Sequence, residues 1–543
     1  MSQRSQFFAI LFWAALAFGV SCVLLPNAAS VAQVQEQRAT SAERGLSPAE
    51  RRGKAIYLRG ASPSGKEITA MVGDMDLPAS TLTCAGCHGL RGEGKTEGGV
   101  TAGNLTWADL AKPYGHTHST GRKHGPFNEK LFTRSLVQGL DPAGNEMAVA
   151  MPRYEMSDED MANLIAYLKR IESDRDPGLT ATSVRLGTIL PKEGGLSEIG
   201  AAMKDVLTAY FANVNDRGGI YNRSIELQTI QTGSDAAATA ANVRKLVENG
   251  ELFAMVSGLS AGADKELAAL TQETEIPFMG PVTLLPQTGF QSNRNVFYLL
   301  PGASEQARAL VNFAANKPEL QKRRLAIVHS QNELALAAAE AIEDQARKKS
   351  WTTTRKSYSG KLVDAAGIAA TLKGEGTEAV FFLGAGGEEA LFINAAAAAN
   401  WTPYVFLLGA LAGRELVQSV PLSFKDHVFL SFPTVPGDVT PEGMAELRAL
   451  QEKYKFATRH VASQLMAFAA AKIFTEALKR AGRDLSREKL VTELEGLYEY
   501  ETGVTPRITF GPNRRVGAMG AYVVSIDPAK KEFVSASGWV KNN

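Results

Sequence analysis

Cys84-Ala85-Gly86-Cys87-His88 is the stretch on which the reading of this chain turns. Two cysteines separated by two residues and followed at once by a histidine are the attachment signature of a c-type haem. Each thiol can form a thioether with a haem vinyl group, and the adjacent imidazole then becomes an axial ligand of the iron. The same spacing would serve a CxxC redox pair or half of a zinc site. A redox pair needs a strand before it and a helix after it, whereas Gly89, Gly92 and Gly94 follow here and read as loop. A zinc site needs further cysteines or histidines at ligand spacing. The chain has three cysteines in all, so two of them in this register beside a histidine point to one covalent haem c.

Upstream, Arg4 precedes an uncharged apolar run from Phe7 to Leu25, Pro26 ends it, and Ser30-Val31-Ala32 offers small residues for cleavage. Residues 1–32 therefore read as a signal peptide cut after Ala32. The run is long for such a segment, so an uncleaved N-terminal anchor is the alternative. Either way the body is exported, and a periplasmic location is expected. Residues 33–45 are polar and read as a tether. Cys22 falls in the leader, so no disulfide framework is available once haem takes the other two cysteines. A length of 543 residues exceeds one ordinary domain. The net charge of +1 gives no electrostatic case for nucleic acid or an acidic membrane surface.

Around the pentapeptide, residues 46–173 read as one helical domain. Ser47-Pro48-Ala49-Glu50 is a helix start, with serine at the N-cap, proline at N1 and an acid in the first turn. That helix runs to about Leu58, and Arg59 to Ser80 reads as an irregular insertion. Asn128 to Gly139 is a short helix. Ser157-Asp158-Glu159-Asp160 caps a last helix in which Met161, Leu164, Ile165 and Leu168 share a face. A first helix with an early glycine (Gly53), a CxxCH, a Met-Pro at Met151-Pro152 and a final helix ending Ala-Tyr-Leu resemble a class I monohaem cytochrome c. That resemblance implies an all-α domain whose first and last helices cross near the haem. It also implies iron ligated by His88 and Met151, with Met147 and Met156 as rivals. His116, His118 and His124 lie in a stretch rich in Lys112, Arg122, Lys123, Lys130 and Arg134. They read as a solvated basic loop near the haem edge or, alternatively, as a source of a distal iron ligand or a zinc ligand. The basic residues would steer an acidic redox partner.

Asp174 to Thr182 is a polar linker, and from Val184 the pattern becomes strand, loop, helix, repeated. Val184–Leu190, Ile225–Ile230, Phe253–Ser257, Ile276–Met279, Leu325–Val328, Ala379–Leu383 and Val405–Leu408 read as strands with helices between them. Alternation of this kind means parallel sheet covered by helices on both faces, and the total requires two doubly wound lobes. Leu186-Gly187-Thr188-Ile189-Leu190-Pro191, Asn215-Asp216-Arg217-Gly218-Gly219, Ser257-Gly258-Leu259-Ser260 and Ile276-Pro277-Phe278 occur in the order found in type I periplasmic binding proteins. The segment 183–543 resembles their branched-chain amino acid or amide-binding group. The resemblance implies one lobe at about 183–301 and 434–510 and the other at about 302–433 and 511–543. It also implies ligand contacts at Ser260, Ala261, Gly262 and Thr283, and from the second lobe at Gln331, Asn332 and Gly384. Each hydroxyl among them has a plain alternative role as a helix cap. His329-Ser330-Gln331-Asn332-Glu333 departs from the acid and tyrosine found there in many amino-acid binders, so an amide-like or other neutral ligand fits as well as leucine or valine.

The expected whole is a c-type cytochrome carrying single electrons, joined to a module that captures or senses a small amino-acid-like or amide-like solute. The alternative is a substrate-binding protein for amino acid or amide uptake with an accessory haem. The expected partners are a dehydrogenase or oxidase for the haem, a small solute for the cleft and an ABC permease for uptake. No nucleophile–base pair stands at recognisable spacing, so no enzyme is expected.

Overall fold

The computed structural model describes residues 46–542 apart from 98–99, 119, 288–292, 321–323 and 414. The leader, its cleavage point and the tether at 33–45 lie outside the described residues. The chain divides into two compact units between Asp174 and Arg175.

In the first unit, helix Pro48–Arg59 begins with a reciprocal capping box between Ser47 and Glu50 and ends at Gly60, whose φ of 62° lies in the left-handed region. Helix Asp158–Leu168 begins at Ser157, which accepts from the Asp160 N–H at 3.1 Å. These two helices meet where Gly53 faces Asn163 and Tyr167. A Cβ at Gly53 would lie 1.9 Å from the Asn163 carbonyl oxygen and 2.7 Å from Tyr167 Cβ. Only hydrogen fits there. Tyr57 and Tyr167, both buried, pack with ring centroids 5.7 Å apart. The Tyr57 hydroxyl donates to the Gly89 carbonyl at 2.7 Å, tying this crossing to the loop after the CxxCH.

The stretch 59–80 is not irregular. Thr69–Val72 and Met75–Pro78 form a hairpin turning at Gly73, and Arg153–Glu155 adds a third antiparallel strand. The hairpin shows no clean apolar alternation, because Met71 and Met75 face water. The period-two signal that normally reveals a strand is therefore missing.

The second unit holds two sheets. The first has five parallel strands in the order Val296–Phe297, Phe278–Met279, Ala254–Gly258, Ser183–Leu190 and Ser224–Gln231. The second has seven, in the order Thr353–Tyr358, Leu325–Ser330, Ala379–Leu383, Tyr404–Leu408, Val428–Phe432, Gly520–Asp527 and Glu532–Lys541. Its first five strands are parallel and its last two antiparallel. The central strands of each sheet are buried on both faces, which is why they read as continuous apolar runs. Late helices return to the first sheet: Phe468, Phe474 and Leu490 share a core with Val184, Leu186 and Val256. Helix Val461–Ala481 is long and apolar enough to cross a membrane, yet two-thirds of its most apolar window is buried, as in a core helix. Val523 and Ile526, later still, belong to the cores of the second sheet.

Gly53→Ala forces backbone and side chain apart at the helix crossing. It is expected to destabilise the first unit by about 3 kcal/mol. Chemical denaturation should show a lowered midpoint for that unit's transition while the transition of the second unit stays in place.

Candidate functional site

Cys84–His88 forms a short helix whose N-cap Thr83 accepts from the Gly86 N–H. The helical turn brings both thiols to one side of the chain, with Cys84 half-buried and Cys87 exposed. Burial of its sulfur pushes the Cys84 thiol up to about 12, and Cys87 adds in the same direction. A redox nucleophile needs its thiol pushed down, so this environment disfavours a thioredoxin-type pair. His88 is buried, and its Nδ1 lies 2.7 Å from the Gly103 carbonyl oxygen. A carbonyl only accepts, so Nδ1 carries the proton and the Nε2 lone pair is left for a metal. Burial also lowers the pKa of His88, against a smaller opposing pull from Gly103, which favours the neutral imidazole a ligand must be. These donors fit a covalent haem. Met151 and Met156 are half-buried against the same core as Cys84, Leu82, Leu105, Trp107 and Phe127. Tyr154 anchors the Met151 segment by donating to the Leu82 carbonyl at 2.6 Å.

The three histidines of the basic stretch gather together. His116 and His124 have ring centroids 5.0 Å apart, and His118 Nε2 lies 2.9 Å from His124 Nε2. The loop is only partly solvated, because His124 is buried. Among the described residues no group of three or more His, Cys, Asp or Glu is arranged to hold a metal ion.

In the second unit the residues at the strand ends are engaged by the chain's own carboxylates. Buried Ser260 donates from Oγ to Asp264 Oδ1 at 2.8 Å. Thr283 accepts from the Leu285 N–H at 2.9 Å. Ala261 and Gly262 are exposed and hold positive φ. In the second lobe Asn332 caps helix Glu333–Lys348 through the Ala335 N–H, and its amide donates to Ser330 at 2.7 Å. Gln331 reaches Ser357 at 3.4 Å. Beside Gly384, Glu388 receives the Tyr358 hydroxyl at 2.6 Å and the Ala385 N–H at 3.2 Å. Lys265 and Glu333 form an exposed ion pair of 2.6 Å between the lobes.

Gly103, Asp264 and Glu388 escaped the sequence reading. Gly103 acts through its backbone, which no residue type reveals. Asp264 stands four residues after Ser260 at the start of a helix, where an acid reads as dipole compensation.

Residues 183–532 match the family model of the periplasmic binding proteins, and residues 76–172 match that of cytochrome c. The chain belongs to the periplasmic binding protein family and carries a cytochrome c domain ahead of the binding domain, which implies covalently bound haem c. Neither is an enzyme family. No curated protein matches the chain. Among solved structures, a fatty acid ABC transporter substrate-binding protein from Thermomonospora curvata is 16% identical, with a TM-score of 0.52, covering 68% of this chain and 95% of its own. A branched chain amino acid ABC transporter from Thermus thermophilus with bound valine is 17% identical, with a TM-score of 0.53, covering 67% and 98%. A putative branched-chain amino acid ABC transporter from Rhodospirillum rubrum, 17% identical with a TM-score of 0.53, covers 65% and 99%. At these identities the likeness is one of fold.

Burial raises the pKa of Asp264; Ser260 and Thr283 oppose the shift, and Glu333 adds to it. A carboxyl that holds its proton more tightly folded than unfolded makes stability fall as pH rises from the ordinary carboxylate value through the raised one. Asp264→Asn removes that loss. Relative to wild type, the variant should melt higher at about pH 7 than at about pH 3; an equal difference at both would mean a solvated carboxyl.

Proposed function

We propose that this protein is an exported electron carrier, with one haem c held by Cys84 and Cys87 and ligated by His88 and Met151, joined to a module that captures a small solute. The observation that carries the haem half is the hydrogen bond between His88 Nδ1 and the Gly103 carbonyl, which fixes the tautomer and aims the other nitrogen. When bound, the haem supplies a one-electron couple, and His/Met ligation raises its potential. The chain's own residues favour the neutral imidazole, disfavour the thiolate of Cys84, and anchor the Met151 segment through Tyr154. His88 and Met151 together would leave no iron position for a substrate, which favours electron transfer over substrate chemistry. A dehydrogenase or oxidase is the expected redox partner, and both families are typically exported to the periplasm.

For the binding module, the two-lobed fold and the cleft residues at 260–264, 283 and 331–333 support capture of an amino-acid-like or amide-like solute. Hinge closure of the lobes would hold it. Uptake through an ABC permease is the second reading, favoured by the ABC transporter proteins that share its fold.

Haem should stay with the chain through acid–acetone extraction; its release would sink covalent attachment. Met151→Ala should abolish the methionine–iron absorption band at the red end of the oxidised spectrum and lower the reduction potential. An unchanged band would move the ligand to another residue. A thermal-shift screen of amino acids, amides and small carboxylates tests capture, and no response across it would favour a docking role for the cleft.

A further inference from the structure

We infer that Asp264 is the specificity-determining residue of the cleft. Its carboxylate fills the place where a ligand carboxylate would find donors, and so selects a solute that presents an ammonium or amide N–H instead. The inference rests on the solute-capture reading and names the ligand class of that site.

The buried hydroxyl at this end of the sheet is spent. A hydroxyl has one proton to give. That of Ser260 goes to Asp264 Oδ1 at 2.8 Å. The Thr283 oxygen already accepts the Leu285 N–H at 2.9 Å. From the second lobe the nearest charge is another acid, Glu333, whose partner Lys265 already pairs with it. Two carboxylates and one ammonium leave this mouth of the cleft negative. The second-lobe glycine loop is occupied in the same way: the Ala385 and Leu362 N–H groups and the Tyr358 hydroxyl all donate to Glu388. An entering carboxylate would therefore meet like charge where it loses hydration. An ammonium or amide N–H meets acceptor oxygens.

The test uses the full-length haem-loaded protein and four probes that share an isopropyl group: L-valine, L-valinamide, isobutylamine and isobutyrate. Calorimetric titration of wild type should give valinamide and isobutylamine affinities at least about tenfold tighter than that of isobutyrate. Asp264→Asn should reduce that preference to within about threefold. In Asp264→Ala, acetate should raise the melting temperature over chloride at equal ionic strength, with no such effect on wild type, because acetate refills the vacated place. Wild type binding isobutyrate or valine as tightly as the amine would overturn this inference alone, as would acetate stabilising both proteins equally. Absence of binding by all four probes to wild type and Asp264→Asn would overturn the capture reading and this inference with it.

Discussion

A carboxylate removed from water must be met by donors, and this requirement organises the strand ends of the binding domain. Parallel strands finish in loops whose hydroxyls and N–H groups cannot all bond within the sheet. In many α/β proteins those groups wait for a ligand outside the carboxyl ends of the strands. Here Asp264 and Glu388 take them first, each from the first turn of the helix that follows. The loops are thereby held in one conformation without a solute. The same bonds decide which chemistry the cleft can still accept, so structure and selectivity come from one set of contacts.

The haem domain follows a related logic with backbone in place of acids. Gly53 lets two helices touch, Tyr57 extends from that crossing to the Gly89 carbonyl, and Gly103 orients the His88 ring. Three glycines, each chosen for the absence of a side chain or for its carbonyl, position a group that the chain itself does not synthesise. The first-helix glycine and the CxxCH thus belong to one mechanical unit, although thirty residues of hairpin and turn separate them.

Much of this was legible from the residues. The pentapeptide carries its chemistry in its spacing, and the capped helices at 48–59 and 158–168 begin where serine, proline and acids announce them. The buried parallel strands show as apolar runs because both faces are covered. What stayed hidden has physical causes. The hairpin at 69–78 lacks alternation because Met71 and Met75 face water. Strand Thr353–Tyr358 lies at an edge and is largely polar, and the antiparallel pair at 520–541 follows no βαβ rhythm. At the strand ends, Ser260 was identifiable as a hydroxyl, but its bond to Asp264 forms only once the helix start has folded. Asn332 shows the same ambiguity resolved toward capping.

The return of the chain to each sheet also sets an order of events during synthesis. All described residues of the haem unit precede Asp174, so that unit has its whole core early. Neither lobe behind it does. The first sheet lacks part of its cover until the helices of 441–495 emerge, and the second lacks two strands until residue 541. Domains tend to fold as units as they emerge, so the cytochrome can mature while the binding domain is still incomplete. Loss of the last two strands would damage the lobe nearest them in the sheet and leave the haem unit's own core intact.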